Sequence, residues 1–226
     1  MKDRYGREID YLRISITDRC NLRCIYCMPE EGICQTAHKE ILTYDEIRRI
    51  CRCMTALGIK KIKLTGGEPL TRKDSAVLVR MLKELPGIEK GTLTTNGILL
   101  KEQMAELAEA GIDNINISLD TLNTEDFQKI TRREGLTRVL EGMKEAMKYP
   151  QIGLKINCVP VLEDPGNLIN LAGIARDNPI HVRFIEMMPI GYGKEFRFCG
   201  EDEICSVLEE AYGKMTPITE KYGNGP

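Results

Sequence analysis

No apolar run in these 226 residues approaches the length that spans a bilayer, and the opening stretch MKDRYGREIDYLRIS lacks the apolar centre of a secretory signal. Charge of one sign is not in excess. The 32 Lys and Arg face 34 Asp and Glu, interleaved, for a formal net charge of −2. That balance marks out neither a nucleic-acid face nor a membrane-surface patch. Low-complexity tracts and internal repeats are missing too, and histidine is scarce, with only His38 and His181. These absences predict a cytoplasmic chain without nucleic-acid or membrane partners. The remaining composition, 42% hydrophobic and 29% charged, is that of an ordinary soluble domain with room for a substantial core.

What the chain does have is nine cysteines. In a reducing compartment these read as ligands, buried small hydrophobes or reactive thiols before disulfides. Cys51 and Cys53 fall about 200° apart on a helical pattern, so they are poor joint ligands. Cys158, Cys199 and Cys205 read as apolar filler or partly exposed thiols. Cys20, Cys24 and Cys27 are different: three thiols within eight residues, spread over Asn, Arg and Tyr in a loop after a strand-like run.

Strand-like and amphipathic helical segments alternate along the sequence. YLRISITD (11–18) precedes the cysteine loop and TYDEIRRICRCMTALG (43–58), which opens on a capping threonine and stops at glycine. KIKLTGG (61–67) pairs with DSAVLVRMLKEL (74–85), and KGTLTTNG (90–97) with KEQMAELAEAG (101–111). NINISLD (114–120) is followed by a short loop region and LTRVLEGMKEAMKY (136–149). GLKINCVPV (153–161) with NLINLAGIARD (167–177), and HVRFIEMMPI (181–190) with EDEICSVLEEAYG (201–213), complete the series.

Such alternation predicts a parallel sheet with right-handed crossovers. Six units fall short of the eight of a closed barrel. Polar or glycine-rich residues recur just after five of the six strands, so an incomplete (βα)6 barrel of α/β class is preferred over a doubly wound sheet. An open doubly wound sheet would gather its ligand at one switch point instead. The expected layout is one core domain over 1–217, with 218–226, ending EKYGNGP, opening a linker to a further region.

A closed zinc site wants four ligands, usually two separated pairs. Cys34 offers a fourth thiol, so zinc stays open as an alternative. A four-cysteine electron-transfer cluster is the second rival. Three thiolates on a four-iron cluster leave one iron without a protein ligand, and an open metal position is the mark of a site that binds something else.

The loop Cys20-x3-Cys24-x2-Cys27, with Tyr26 before the last cysteine, and GGEP at 66–69 resemble the radical S-adenosylmethionine (SAM) enzymes. The longer runs YLRISITDRCNLRCIYCMPEEG, KIKLTGGEPLTRKD, TLTTNG, NINISLDTL and VRFIEMMPIG narrow the resemblance to the GTP 3′,8-cyclases of molybdenum cofactor biosynthesis. The resemblance implies a [4Fe–4S] cluster on Cys20, Cys24 and Cys27 whose open iron chelates SAM. It implies a 5′-deoxyadenosyl radical that takes the 3′ hydrogen of GTP, after which the sugar carbon bonds to C8 of the guanine. It places Tyr26, Gly67, Ser118 and Met188 on SAM.

Arg13, Lys63 and Lys155 are charges inside otherwise apolar strand runs, and such charges are seldom buried unpaired. The resemblance assigns them, with Thr94, to GTP. It further implies an external electron donor such as flavodoxin or ferredoxin, and a homodimer. The family more often has arginine at Lys63, so this chain keeps the charge there and loses the bidentate fork. Family members also continue into a C-terminal region with a second [4Fe–4S] cluster. This chain is therefore expected to bind the first cluster and SAM without full cyclase activity by itself. Another radical SAM enzyme, such as one that modifies peptides, and a non-catalytic zinc or iron–sulfur module are the alternatives.

Overall fold

Five of the six strands carry β-branched or leucine residues at every second position, and the helices between them carry apolar stripes that need a sheet to cover. In the computed structural model, which describes residues 2–161, 164–197 and 199–218, they form one parallel sheet. The strands are β1 (Tyr11–Ser15), β2 (Lys61–Thr65), β3 (Lys90–Thr95), β4 (Asn114–Ser118), β5 (Gly153–Cys158) and β6 (Ile180–Phe184). Each pairs with its sequence neighbour, in the order β1-β2-β3-β4-β5-β6. A doubly wound sheet reverses its order at a switch point, and this one never does. The architecture is the expected incomplete barrel, with β1 and β6 at its two open edges.

Helices α1 (Tyr44–Ala56), α2 (Ser75–Lys83), α3 (Leu100–Glu109), α4 (Thr124–Thr131), α5 (Leu136–Ala146), α6 (Pro165–Asp177) and α7 (Glu201–Tyr212) follow the strands. Thr43 caps α1 in a full capping box with Glu46, as its sequence suggests. The segment between β4 and α5 corrects the expectation of a short loop region. Asn123 accepts from the N–H groups of Glu125 and Asp126 and starts α4, which buries Phe127 and Ile130. Eight residues are too few for a periodic stripe to show in sequence. The last strand likewise ends at Phe184, so 185–190 is loop rather than strand. The linker expected over 218–226 lies, apart from Ile218, outside the described residues.

Register fixes the two faces of the sheet. Ile62, Leu64, Leu93, Ile115, Ile117, Leu154 and Ile156 point outward into one core with Leu78, Leu82, Met104, Leu107, Val139 and Leu171 of the helices. Burial of this apolar layer is the main force holding the barrel wall to its helices. Cys51 is buried in it while Cys53 faces solvent, as their spacing predicts, and Cys158 is buried there too. The inward residues are mostly polar: Arg13 opposite Lys63 opposite Thr92, then Thr94, Asn116, Lys155 and His181, then Ser118, Asn157 and Arg183. Parallel strands are usually apolar on both faces. Here the inner face is a polar wall. Among the described residues no helix is long and apolar enough to cross a membrane.

Candidate active site at the C-terminal ends of the strands

The loops after β1, β2 and β3 are laced together by groups whose sequence neighbours do not explain them. The N–H of Gly67 donates to the carbonyl of Thr17 at 2.7 Å, and that of Glu68 to the carbonyl of Arg19 at 2.7 Å. A Cβ on Gly67 would overlap the Arg19 carbonyl oxygen and lie 2.6 Å from its carbon and 2.8 Å from the Asp18 oxygen. Gly66, at φ +153°, is pressed against the Thr17 carbonyl in the same way. The two glycines therefore let the β2 loop touch the chain that enters the cysteine loop.

Glu68 is buried, at 1% exposure, and its carboxylate accepts from Leu70 N (2.9 Å), Thr95 Oγ1 (2.8 Å) and Asn96 N (2.6 Å). Burial pushes its carboxyl upward and the three donors pull it back. Asn96 in turn donates to Asn21 Oδ1 at 2.7 Å and lies 3.9 Å from Cys20 Sγ. Asp120, after β4, receives the Tyr26 hydroxyl at 2.6 Å and the Val159 N–H at 2.8 Å. Burial raises its carboxyl to about 6, against the pull of those two donors. Glu68 and Asp120 thus tie the cysteine loop, directly or through Asn96, to the ends of β2, β3, β4 and β5.

Within that loop the N–H groups of Cys27 and Met28 both donate to the Cys24 carbonyl, at 2.9 and 3.2 Å, which winds the last two cysteines into a helical turn. Cys20 and Cys24 are half-buried and Cys27 is exposed. Burial, then the charge of Asp120 and the neighbouring Cys20 and Cys27, push the Cys24 thiol up to about 12. This donor set is short of positive charge, which iron would supply while displacing the thiol protons. Among the described residues no three His, Cys, Asp or Glu side chains converge on one point as ligands of a single ion must. A cluster does not ask for that, because each cysteine takes a different iron. Three thiols on one short loop can each take a different iron of such a cluster.

Ser118, Tyr26, Cys24, Asn96 and Asp120 line one small cavity of about 30 Å³ beside this loop. Met188 is not among its walls; it lies after β6 with 65% of its surface exposed. Arg13, Lys63, Thr94 and Lys155 share the inner face of the sheet. Asn116 Nδ2 donates to Thr94 Oγ1 at 3.5 Å. Desolvation first, and then the charges of Arg13, Arg183 and Lys155, lower the affinity of Lys63 for its proton. Four cations therefore meet on one wall, and no inward residue of the described strands is acidic. Arg183 went unnoticed in sequence although HVRF shows the same signal as the other three, a charge alternating with apolar residues. Glu68 was visible only as part of GGEP, and its links to Thr95 and Asn96, like that of Asp120 to Tyr26, join residues far apart along the chain.

Comparison with known proteins agrees with this geometry. The family model of the radical SAM superfamily matches residues 14–170. The GTP 3′,8-cyclase of Pelotomaculum thermopropionicum is 43% identical over 230 residues, covering 100% of this chain and 71% of the relative. That of Clostridium perfringens strain 13 is 45% identical over 228 residues, covering 100% and 70%. Two crystal structures share the fold. Streptococcus suis SuiB bound to S-adenosylmethionine has TM-score 0.69 and 22% identity, over 89% of this chain and 46% of SuiB. Methylornithine synthase (PylB) has TM-score 0.66 and 20% identity, over 93% and 64%. The chain belongs to the radical SAM superfamily and, within it, to the GTP 3′,8-cyclase family.

Proposed function

We propose that the two ends of this polar wall divide one reaction between them: the cysteine loop holds a [4Fe–4S] cluster and SAM, and the cationic rows hold the triphosphate of GTP. The gathering of Arg13, Arg183 and Lys155 around Lys63 carries the reading. Like charges held together in a partly desolvated wall destabilise the ligand-free state, and a polyanion relieves them. Thr94 adds a hydroxyl beside them.

Cys20, Cys24 and Cys27 supply the thiolates for three irons and leave the fourth open to a ligand. When bound, the cluster supplies the electron that breaks a carbon–sulfur bond of SAM. The protein's own part is placement. Gly67 and Gly66 bring backbone close to the loop, Tyr26 is locked by Asp120, and Ser118 presents its hydroxyl in the adjoining cavity. Met188, on the loop after β6, is assigned to the adenine end. Residues 1–217 act as the radical SAM core. An external low-potential donor, a flavodoxin or ferredoxin, and a homodimeric state belong to the same reading, which yields the first step of molybdenum cofactor biosynthesis.

Calorimetric titration with GTP tests the cationic site. Arg13→Ala and Lys155→Ala should each weaken binding about tenfold or more, since a charge-assisted hydrogen bond contributes about 1.5–3 kcal/mol. GTP affinity unchanged in both variants would reject the assignment.

A further inference from the structure

The cysteine loop rests on α4, the helix that sequence periodicity hides. The N–H of Arg23 donates to the carbonyl of Thr131 and that of Ile25 to the carbonyl of Ile130, both at 2.9 Å. These are the last carbonyls of α4, which a helix end leaves without partners of its own. Beside them, Arg132 Nη1 donates to the carbonyls of Arg23 (3.2 Å) and Met28 (3.0 Å). Those two residues bracket Cys24–Cys27, so one guanidinium ties together both ends of the turn that carries two of the three thiols. A second guanidinium acts within the loop: Arg23 Nη1 donates to the carbonyls of Cys20 (2.8 Å) and Leu22 (2.7 Å).

The backbone of Arg132 makes this more than incidental packing. It closes α4 in the left-handed region, at φ 55° and ψ 23°, where glycine or asparagine is the residue of least strain. An arginine at such a position is strained for the sake of its side chain. The described residues contain one other non-glycine residue at positive φ, Asp74, the cap of α2. Arg132 spends its Nη1 on carbonyls of the cysteine loop and, among the described residues, on no acid.

We infer that Arg132 is a positioning residue for the cluster: through the carbonyls of Arg23 and Met28 it fixes the turn of Cys24 and Cys27, and α4 is the scaffold of the cluster loop. The inference rests on the reading that Cys20, Cys24 and Cys27 hold the cluster. Partners of this outer kind are worth about 10–100-fold in metal affinity.

The left-handed backbone supplies a test that separates positioning from mere folding. Arg132→Gly removes the guanidinium yet suits the backbone, so relief of the left-handed strain offsets part of the two lost hydrogen bonds and the iron-free variant should still fold, melting within about 5 °C of the parent. After anaerobic reconstitution, its cluster should be lost to a chelator about tenfold faster or more, and its reduced electron paramagnetic resonance spectrum should change on SAM addition less than the parent's does. Arg132→Lys, which keeps a donor able to reach the carbonyls, should recover most of both properties. Equal cluster retention and an identical SAM response in parent and Arg132→Gly would overturn the inference, while loss of iron in Cys24→Ser would leave the cluster reading standing. If Cys24→Ser also retained its iron, the cluster reading itself would fall.

Discussion

Gly67→Ala separates two uses of the glycine pair after β2, contact with SAM and contact with the protein's own backbone. An added Cβ overlaps the Arg19 carbonyl oxygen and approaches its carbon to 2.6 Å, both backbone atoms that cannot swing aside as a side chain does. Overpacking of this kind costs about 1–3 kcal/mol. Relief requires the loops to part, which stretches the hydrogen bonds from Gly67 N to Thr17 O and from Glu68 N to Arg19 O, both 2.7 Å, at about 1 kcal/mol each. The sum is about 3–5 kcal/mol, a large share of the stability of a typical domain. For a chain of this size about 1 kcal/mol moves the melting temperature by roughly 2–4 °C, so a fall of about 6–20 °C is expected. Calorimetric melting of the iron-free, SAM-free protein is the assay. A glycine kept only for SAM would leave that melt untouched, and an unchanged melting temperature would refute the packing argument.

Three further outcomes follow from other contacts. Lys63→Met removes one of four mutually repelling cations, so the ligand-free protein should melt higher while GTP binding weakens and loses part of its salt dependence; a lower melt in the absence of ligand would contradict the charge map. The sign follows from linkage. The folded state lowers the pKa of Lys63, so its charged form destabilises the fold below that depressed value, and the penalty fades as alkaline pH removes the proton. Glu68→Gln can keep one oxygen for the Leu70 N–H and the Thr95 hydroxyl but then turns its NH2 on the Asn96 N–H, which should cost about 1–3 kcal/mol in urea unfolding; a change under about 0.5 kcal/mol would show the bond to Asn96 to be idle. Tyr26→Phe leaves the buried Asp120 with the Val159 N–H and no hydroxyl, and should lower stability by about 1–3 kcal/mol in the same assay even without iron; a neutral result would free Tyr26 of its link to Asp120.

The barrel could be read in the sequence because its signals are local. Each strand–helix pair shows its own change of period, and the capping box at Thr43 and Glu46 lies within four residues. The cysteine spacing and the charges of Arg13, Lys63 and Lys155 are local too. Arg183 carried the same mark within β6, but merging 181–190 into one strand obscured the alternation. Helix α4 stayed hidden because eight residues hold too few turns to display a stripe. The supports of the cysteine loop were illegible for a different reason. Tyr26 meets Asp120 across 94 positions, and Arg132 meets Arg23 across 109. No pattern in a window records such a meeting; only the closing of the sheet brings the partners together. Gly67 was legible as a site of close approach, but the approaching group proves to include the chain's own backbone as well as any ligand.

Electron paramagnetic resonance of the anaerobically reconstituted, reduced chain, recorded before and after SAM is added, bears most directly on the whole account. A cluster of about four irons held by three thiolates should give a signal whose shape changes when SAM occupies the remaining iron, and Cys24→Ser should abolish both the signal and its response. A signal indifferent to SAM, or a protein that takes up zinc through the same cysteines and no iron, would contradict it.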